Sequence, residues 1–599
     1  MKKTIYFLVV AITGLISACS DFLDPEVITN IKEDEIWTFD RTIARANAVY
    51  TFLPNGFNKF TSGDTNNPNW AMMSSATDES EHTLETNPVQ KFNTGSWTPM
   101  DNPDNAWSRC FQGIYTANMY LANSDTSKVM MDHLKYDPTR YAEYRLDIAQ
   151  IVQSWYEVRF LRAFFYFELI KRYGGVPIIT EPVTVQSDFT KFPRNTLSEC
   201  VNFILNECDT VANHLPAVYS DENDMGKITK GASLALKSRL LLYCASDLFN
   251  DPSWAGGYPH PELISLTDDG KSRSDRWREA AEAAAAVMQL MDQGIYGLNE
   301  DYPSLFVAPG SYTSKEVILA RRLAAQNNFE KNNYPVSYDL GNSGTAPTGN
   351  LVDDYEIISG SGSVPFDWNN PDHAASPYRN IKINNIKRNR DPRMGFTVLV
   401  DSATFKGQTI EVWNGGKDWR GVPKASRTGY YLRKYVDPNL NLLNNQTSIH
   451  SWILIRLGEI YLNYAEAVCE WTKDPNAIVG GVSLTARQAV SKIRNRSVMP
   501  SVTAAVGASY DLFMNQVRKE RRIELAFEDH RFWDVRRWMI APEVLGAPVT
   551  GVEITKSQEG AYTYKPIVVE NRVFEPKMYF YPIPQKELTI AQWEQNPLW

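Results

Sequence analysis

Two carboxylates, Glu520 and Glu524, stand one helical turn apart in Val517-Arg518-Lys519-Glu520-Arg521-Arg522-Ile523-Glu524-Leu525-Ala526-Phe527. Paired carboxylates are the groups used for general acid–base and glycosidic chemistry, so their setting decides which chemistry is open to them. Phe513, Val517, Glu520, Glu524 and Phe527 recur at helical intervals, which puts both acids on one stripe with large apolar groups. A buried carboxylate is costly unless paired, and Arg518, Arg521 and Arg522 are near enough in sequence to pair with it. Acids at i and i+4 point the same way from one wall, whereas hydrolysis needs a pair flanking the scissile bond. The pattern predicts a structural ion network of Arg518, Glu520, Arg521, Arg522 and Glu524, with no catalytic residue.

The other residues that could do chemistry are aromatic. The chain carries 16 Trp and 30 Tyr, more indole and phenol than a helical core usually needs, so some should serve recognition. Trp70 and Trp97 lie in the polar loop 54–100. Tyr334 and Tyr338 are expected to be exposed in the Asn/Gly/Ser-rich stretch 327–350, and Trp368 stands beside Asn369 and Asn370. Indole faces stack on the C–H faces of sugar rings while amides bind hydroxyls. Trp97, Trp70, Tyr334, Tyr338 and Trp368 are therefore the candidate ligand-binding residues; the other reading of each indole is a loop anchor folded back on the body.

Metal and nucleic acid find little support. The six cysteines include no CxxC and the seven histidines no HExxH, so no zinc site is predicted. Asp353, Asp354 and Glu356 suggest calcium but lack EF-hand spacing and read as a solvated acidic turn. No metal or cofactor is predicted. A net charge of -9 without a Lys/Arg-rich block argues against nucleic acid.

The elements that must position these residues are mostly helical. Lys2 and Lys3, an apolar run over 5–16 and Ser17-Ala18-Cys19 make 1–18 a signal peptide, too short to span a membrane comfortably. The cysteine resembles a bacterial lipobox, so the mature chain is expected to begin at a lipidated Cys19; the alternative is an ordinary signal peptide with a chance cysteine. Residues 19–34 form an acidic tether. Helical patterning fills 35–301 outside the loop: 39–52, 107–121, 151–173 (stopped by Gly174-Gly175), 196–215, 229–248 and 277–291. A loop-rich insertion over 302–451 contains a strand at 316–320. The last part, 452–599, opens on a helix predicted over 453–470 and ends in a Pro-broken extended tail. Helix pairs without a clean 34-residue consensus suggest a divergent tetratricopeptide-like stack with few short strands.

The segment 517–538, through His530-Arg531-Phe532-Trp533-Asp534-Val535-Arg536-Arg537-Trp538, resembles the carboxyl-terminal signature of the SusD/RagB-like outer-membrane lipoproteins. Tyr173-Gly174-Gly175-Val176-Pro177, Arg390-Asp391-Pro392-Arg393, Leu457-Gly458-Glu459-Ile460-Tyr461 and Tyr581-Pro582-Ile583-Pro584 are similar to the same family in the same order. The resemblance implies a lipid-anchored protein on the outside of the outer membrane. It would capture nutrient, usually glycan, for a TonB-dependent SusC-like transporter, without catalysis. Two rivals stand beside glycan capture. Peptide capture by the same architecture would need partners for backbone amides. A glycoside hydrolase would need two carboxylates across a cleft, and no such pair is nominated.

Overall fold

Helices form where apolar residues recur at a period of 3.6, and capping residues fix their ends. The computed structural model describes residues 37–61, 70–184, 186–219 and 224–599; Cys19 and the 19–34 tether lie outside them. The longer helices are α1 (Phe39–Tyr50), α2 (Ala106–Asn123), α3 (Tyr141–Tyr173), α4 (Leu197–His214), α5 (Lys230–Ala245) and α6 (Arg273–Asp292), followed after the insertion by α7 (Leu457–Thr472), α8 (Ala486–Arg496), α9 (Tyr510–Glu524) and α10 (Arg531–Arg537). Thr196 and Glu199 close a reciprocal capping box at the start of α4. α3 stops at Gly174, whose φ is +70° and where a Cβ would stand 2.2 Å from the Leu263 carbonyl oxygen.

Each helix packs on the next. α2 lies on α3, α3 on α4, α4 on α5, α5 on α6, α6 on α7, and α7 on both α8 and α9. Buried Ala280, Ala281 and Ala284 on α6 allow that helix close approach to its neighbours. This ladder is the mostly helical, tetratricopeptide-like scaffold.

The strands are short and tie distant segments together. Those that bear on the site and its frame are β1 (Ser80–His82), β2 (Val317–Arg322), β3 (Thr345–Pro347), β4 (Ser451–Arg456), β5 (Val549–Lys556) and β6 (Tyr562–Glu570). β2 and β4 pair antiparallel, so the intervening insertion leaves and returns through one two-stranded stem. β1 pairs with β3 in the register Ser80↔Pro347, Glu81↔Ala346, His82↔Thr345, which fastens the loop 54–100 to the insertion.

Several elements differ from the sequence reading: α3 begins at Tyr141, ten residues before its predicted start at 151, and the tail turns helical over Gln585–Ala591. The helix predicted over 453–470 is strand β4 up to Arg456 and helix α7 only from Leu457; a short apolar run fits either period, and the partner strand β2 decides it. The β5–β6 hairpin has no counterpart among the predictions. In the tail, Tyr579, Phe580, Tyr581 and Ile583 are buried, and the Tyr581 amide donates to the Arg172 carbonyl oxygen at 2.6 Å.

Candidate functional site

The signature acids are buried and ion-paired. Glu520 and Glu524 are buried on α9, and their cations come from far along the chain. Glu524 accepts from Arg393 at 3.0 Å and Arg456 at 2.8 Å, and also pairs with Arg496. Glu520 accepts from Arg393 at 2.5 Å and Arg494 at 3.1 Å. Burial alone would raise the Glu524 pKa, but the guanidinium groups of Arg496, Arg456 and Arg393 hold it well below the usual carboxylate range. Arg521 binds Asp534 at 3.1 Å, and Arg522 pairs with Asp78 and Asp354. Arg518 is a correction. It makes no ion pair among the described residues and instead sits 5.2 Å from the ring centre of Trp538.

Most of the candidate aromatics also move inward. Trp97 is 1% exposed, packed edge-on against Phe92, Tyr581 and Trp599 at 4.6–5.1 Å. The tail that folds back over it makes a polar-looking loop part of the core, so Trp97 is an anchor. Tyr334 and Tyr338, expected to be exposed, are 0% and 3% exposed. Tyr334 donates its hydroxyl to the Leu440 carbonyl oxygen at 3.2 Å, and both rings pack edge-on against Phe405. Trp368 is half-buried over Phe366 and donates its indole N–H to Asp353 at 2.9 Å. Burial pushes the Asp353 carboxyl up to about 6. With Asp354 on Arg522 and Glu356 on Arg494 and Lys519, the supposed solvated acidic turn is an ion-paired one. Among the described residues no cluster of His, Cys, Asp and Glu could hold a metal.

Trp70 is bonded through its backbone to Asn332, a residue that lines an open cavity. The β1–β3 pairing sets His82 and Thr83 against the insertion, and there a cavity of about 290 Å³ opens, lined also by Asn332, Asn342, Arg420 and Lys424. The Asn332 amide clamps the Trp70 backbone, accepting from its N–H at 3.2 Å and donating to its carbonyl oxygen at 2.5 Å. Gly344 makes room for that clamp, because a Cβ there would stand 2.6 Å from the Asn332 amide nitrogen. His82 Nδ1 accepts from the Leu84 N–H at 3.1 Å, which leaves Nε2–H to face the Trp70 carbonyl oxygen at 3.3 Å. Burial lowers the His82 pKa to about 4, so the ring is neutral near pH 7. Lys424 donates to the Asn342 amide oxygen at 2.9 Å. Asn332 and Asn342 lie in the Asn-rich stretch singled out from sequence; nothing in the sequence drew attention to His82, Arg420 or Lys424.

A second, more apolar groove of about 490 Å³ runs beside α2. Trp107, Phe111 and Trp593 line it and pack on one another, while Tyr115 is 45% exposed.

Comparison with known proteins gives this architecture a family. The SusD family model matches residues 315–599, and a second model, described as starch-binding associating with outer membrane, matches residues 22–242. The chain belongs to the SusD family. The SusD-like protein P25 of Formosa agariphila is 22% identical over 462 residues, spanning 73% of this chain and 71% of that one. A SusD-like protein from Bacteroides fragilis superposes with a TM-score of 0.71 at 24% identity, covering 94% of this chain and 97% of its own. A SusD-like carbohydrate binding protein from the same organism does so with 0.68 at 22% identity, over 92% and 98%. At these identities the solved structures establish the shared fold. No helix among the described residues of this SusD-family chain is long and apolar enough to cross a membrane.

Proposed function

We propose that this SusD-family protein is a cell-surface lipoprotein that captures oligosaccharide in the cavity beside Trp70 and passes it to a TonB-dependent SusC-like transporter. The observation that carries the reading is the cavity's lining. Asn332, Asn342, Thr83 and Lys424 line a space of about 290 Å³, polar residues of the kind that orient a hydroxyl-rich ligand. The half-buried Trp70, whose backbone is held by Asn332 of the cavity wall, is the candidate stacking residue. No carboxylate lines the cavity among the described residues, and hydrolysis of a glycosidic bond ordinarily uses two, which favours binding over cleavage. Anchoring rests on the lipobox-like Cys19, and the handover rests on family membership.

Binding of the purified protein to a glycan array, followed by calorimetry, tests the reading. Asn342→Ala is expected to weaken the best oligosaccharide, while Tyr115→Ala in the aromatic groove leaves it unchanged. The opposite pattern would move the site to the groove. Peptide binding with no glycan binding would establish peptide capture instead.

A further inference from the structure

The charge of the cavity is at odds with that of the chain. The protein carries a net charge of -9, yet the cavity is lined by three cations, Arg420, Lys424 and Arg427, and by no carboxylate among the described residues. Their pairing is uneven. Arg427 is turned toward acids outside the cavity, reaching Glu81 at 2.8 Å and Glu85 at 2.9 Å. Lys424 meets only the neutral amide of Asn342, at 2.9 Å, which leaves two of its three N–H bonds free. Arg420 is exposed and makes no hydrogen bond or ion pair among the described residues.

Arg420 and Lys424 line the same cavity, and neither is paired with a carboxylate among the described residues. A guanidinium offers paired N–H donors that match the oxygens of a carboxylate or a sulfate, and the Lys424 ammonium supplies a second point charge from the same wall. A neutral sugar would use one hydroxyl lone pair per donor and leave most of this potential unanswered.

We infer that the cavity selects an anionic oligosaccharide, one whose ring bears a carboxylate or a sulfate ester, with Arg420 and Lys424 as the recognising pair. This rests on the reading of the cavity as the glycan site.

Calorimetry with three probes tests the assignment: an oligogalacturonate, a carrageenan oligosaccharide and a neutral gluco-oligosaccharide. At least one anionic probe is expected to bind about tenfold or more tightly than the neutral one, with affinity that falls as ionic strength rises. The oligogalacturonate arm reports a carboxylate ligand and the carrageenan arm a sulfated one. Arg420→Gln should cost about tenfold for the anionic probe and leave the neutral one unchanged, while Lys424→Gln should cost about tenfold for the anionic probe and less for the neutral one. Arg420 is exposed, so its substitution does not threaten the fold. Neutral binding as tight as anionic, or anionic binding indifferent to both substitutions, overturns the inference and leaves the glycan reading standing. Failure to bind any of the three probes or any glycan on the array removes both.

Discussion

Glu524 Oε2 accepts a hydrogen bond from Arg393 Nη1 at 3.0 Å across 131 residues of chain. The bond fastens the loop-rich insertion to helix α9, and the same carboxylate also holds Arg456 at the end of β4 and Arg496 at the end of α8. One buried acid thus joins four separate segments, which explains how so irregular an insertion is held on a helical ladder.

Removing that acid takes a partner from three buried guanidinium groups, which keep Glu520, Glu528 and Glu316 among their remaining carboxylates. Glu524→Ala is expected to lower stability by about 3–5 kcal/mol, the cost of breaking a buried pair from one side. Calorimetric melting checks it, and a variant melting like the parent would show that the network does not hold the fold.

Acid should undo a related link. Arg537, first among its neighbours, holds Glu466 down to about 2 against the opposing effect of burial. A depressed carboxyl contributes stability that is complete above its unfolded pKa of about 4.5 and is lost as pH falls toward 2. Denaturant midpoints measured at falling pH should decline through that window, and Glu466→Gln should flatten part of the decline.

Trp97→Ala should act on stability. The indole sits in the core under the tail, so truncation is expected to cost about 3–5 kcal/mol while oligosaccharide affinity of the folded protein stays unchanged. A loss of affinity without loss of stability would return Trp97 to the binding site.

Trp70→Ala should do the reverse. Losing a stacking face is expected to weaken oligosaccharide binding roughly tenfold, with the melting temperature held, because the residue is only half-buried. Calorimetry on both proteins separates the two effects.

Cys19→Ala should free the protein from membrane fractions, since the proposed attachment is acyl. Continued sedimentation with membranes would refute the lipobox reading.

The sequence by itself determined the helical scaffold and the burial of Glu520 and Glu524, because both are written in local spacing: a period of 3.6 with acids on its apolar stripe. It also carried the family, through motifs spread along the chain. It did not determine which cations meet those acids. The nearby Arg518 stacks on Trp538, while Arg393, Arg456, Arg494 and Arg496 arrive from elsewhere. Nor did it determine which aromatics face solvent, since Trp97 and Tyr334 sit in polar stretches and are covered by residues remote in sequence, Trp599 and Leu440 among them. The candidate cavity was hidden for the same reason. His82, Asn332 and Lys424 become neighbours only when β1 pairs with β3, and contacts between remote segments leave no periodic trace along the chain.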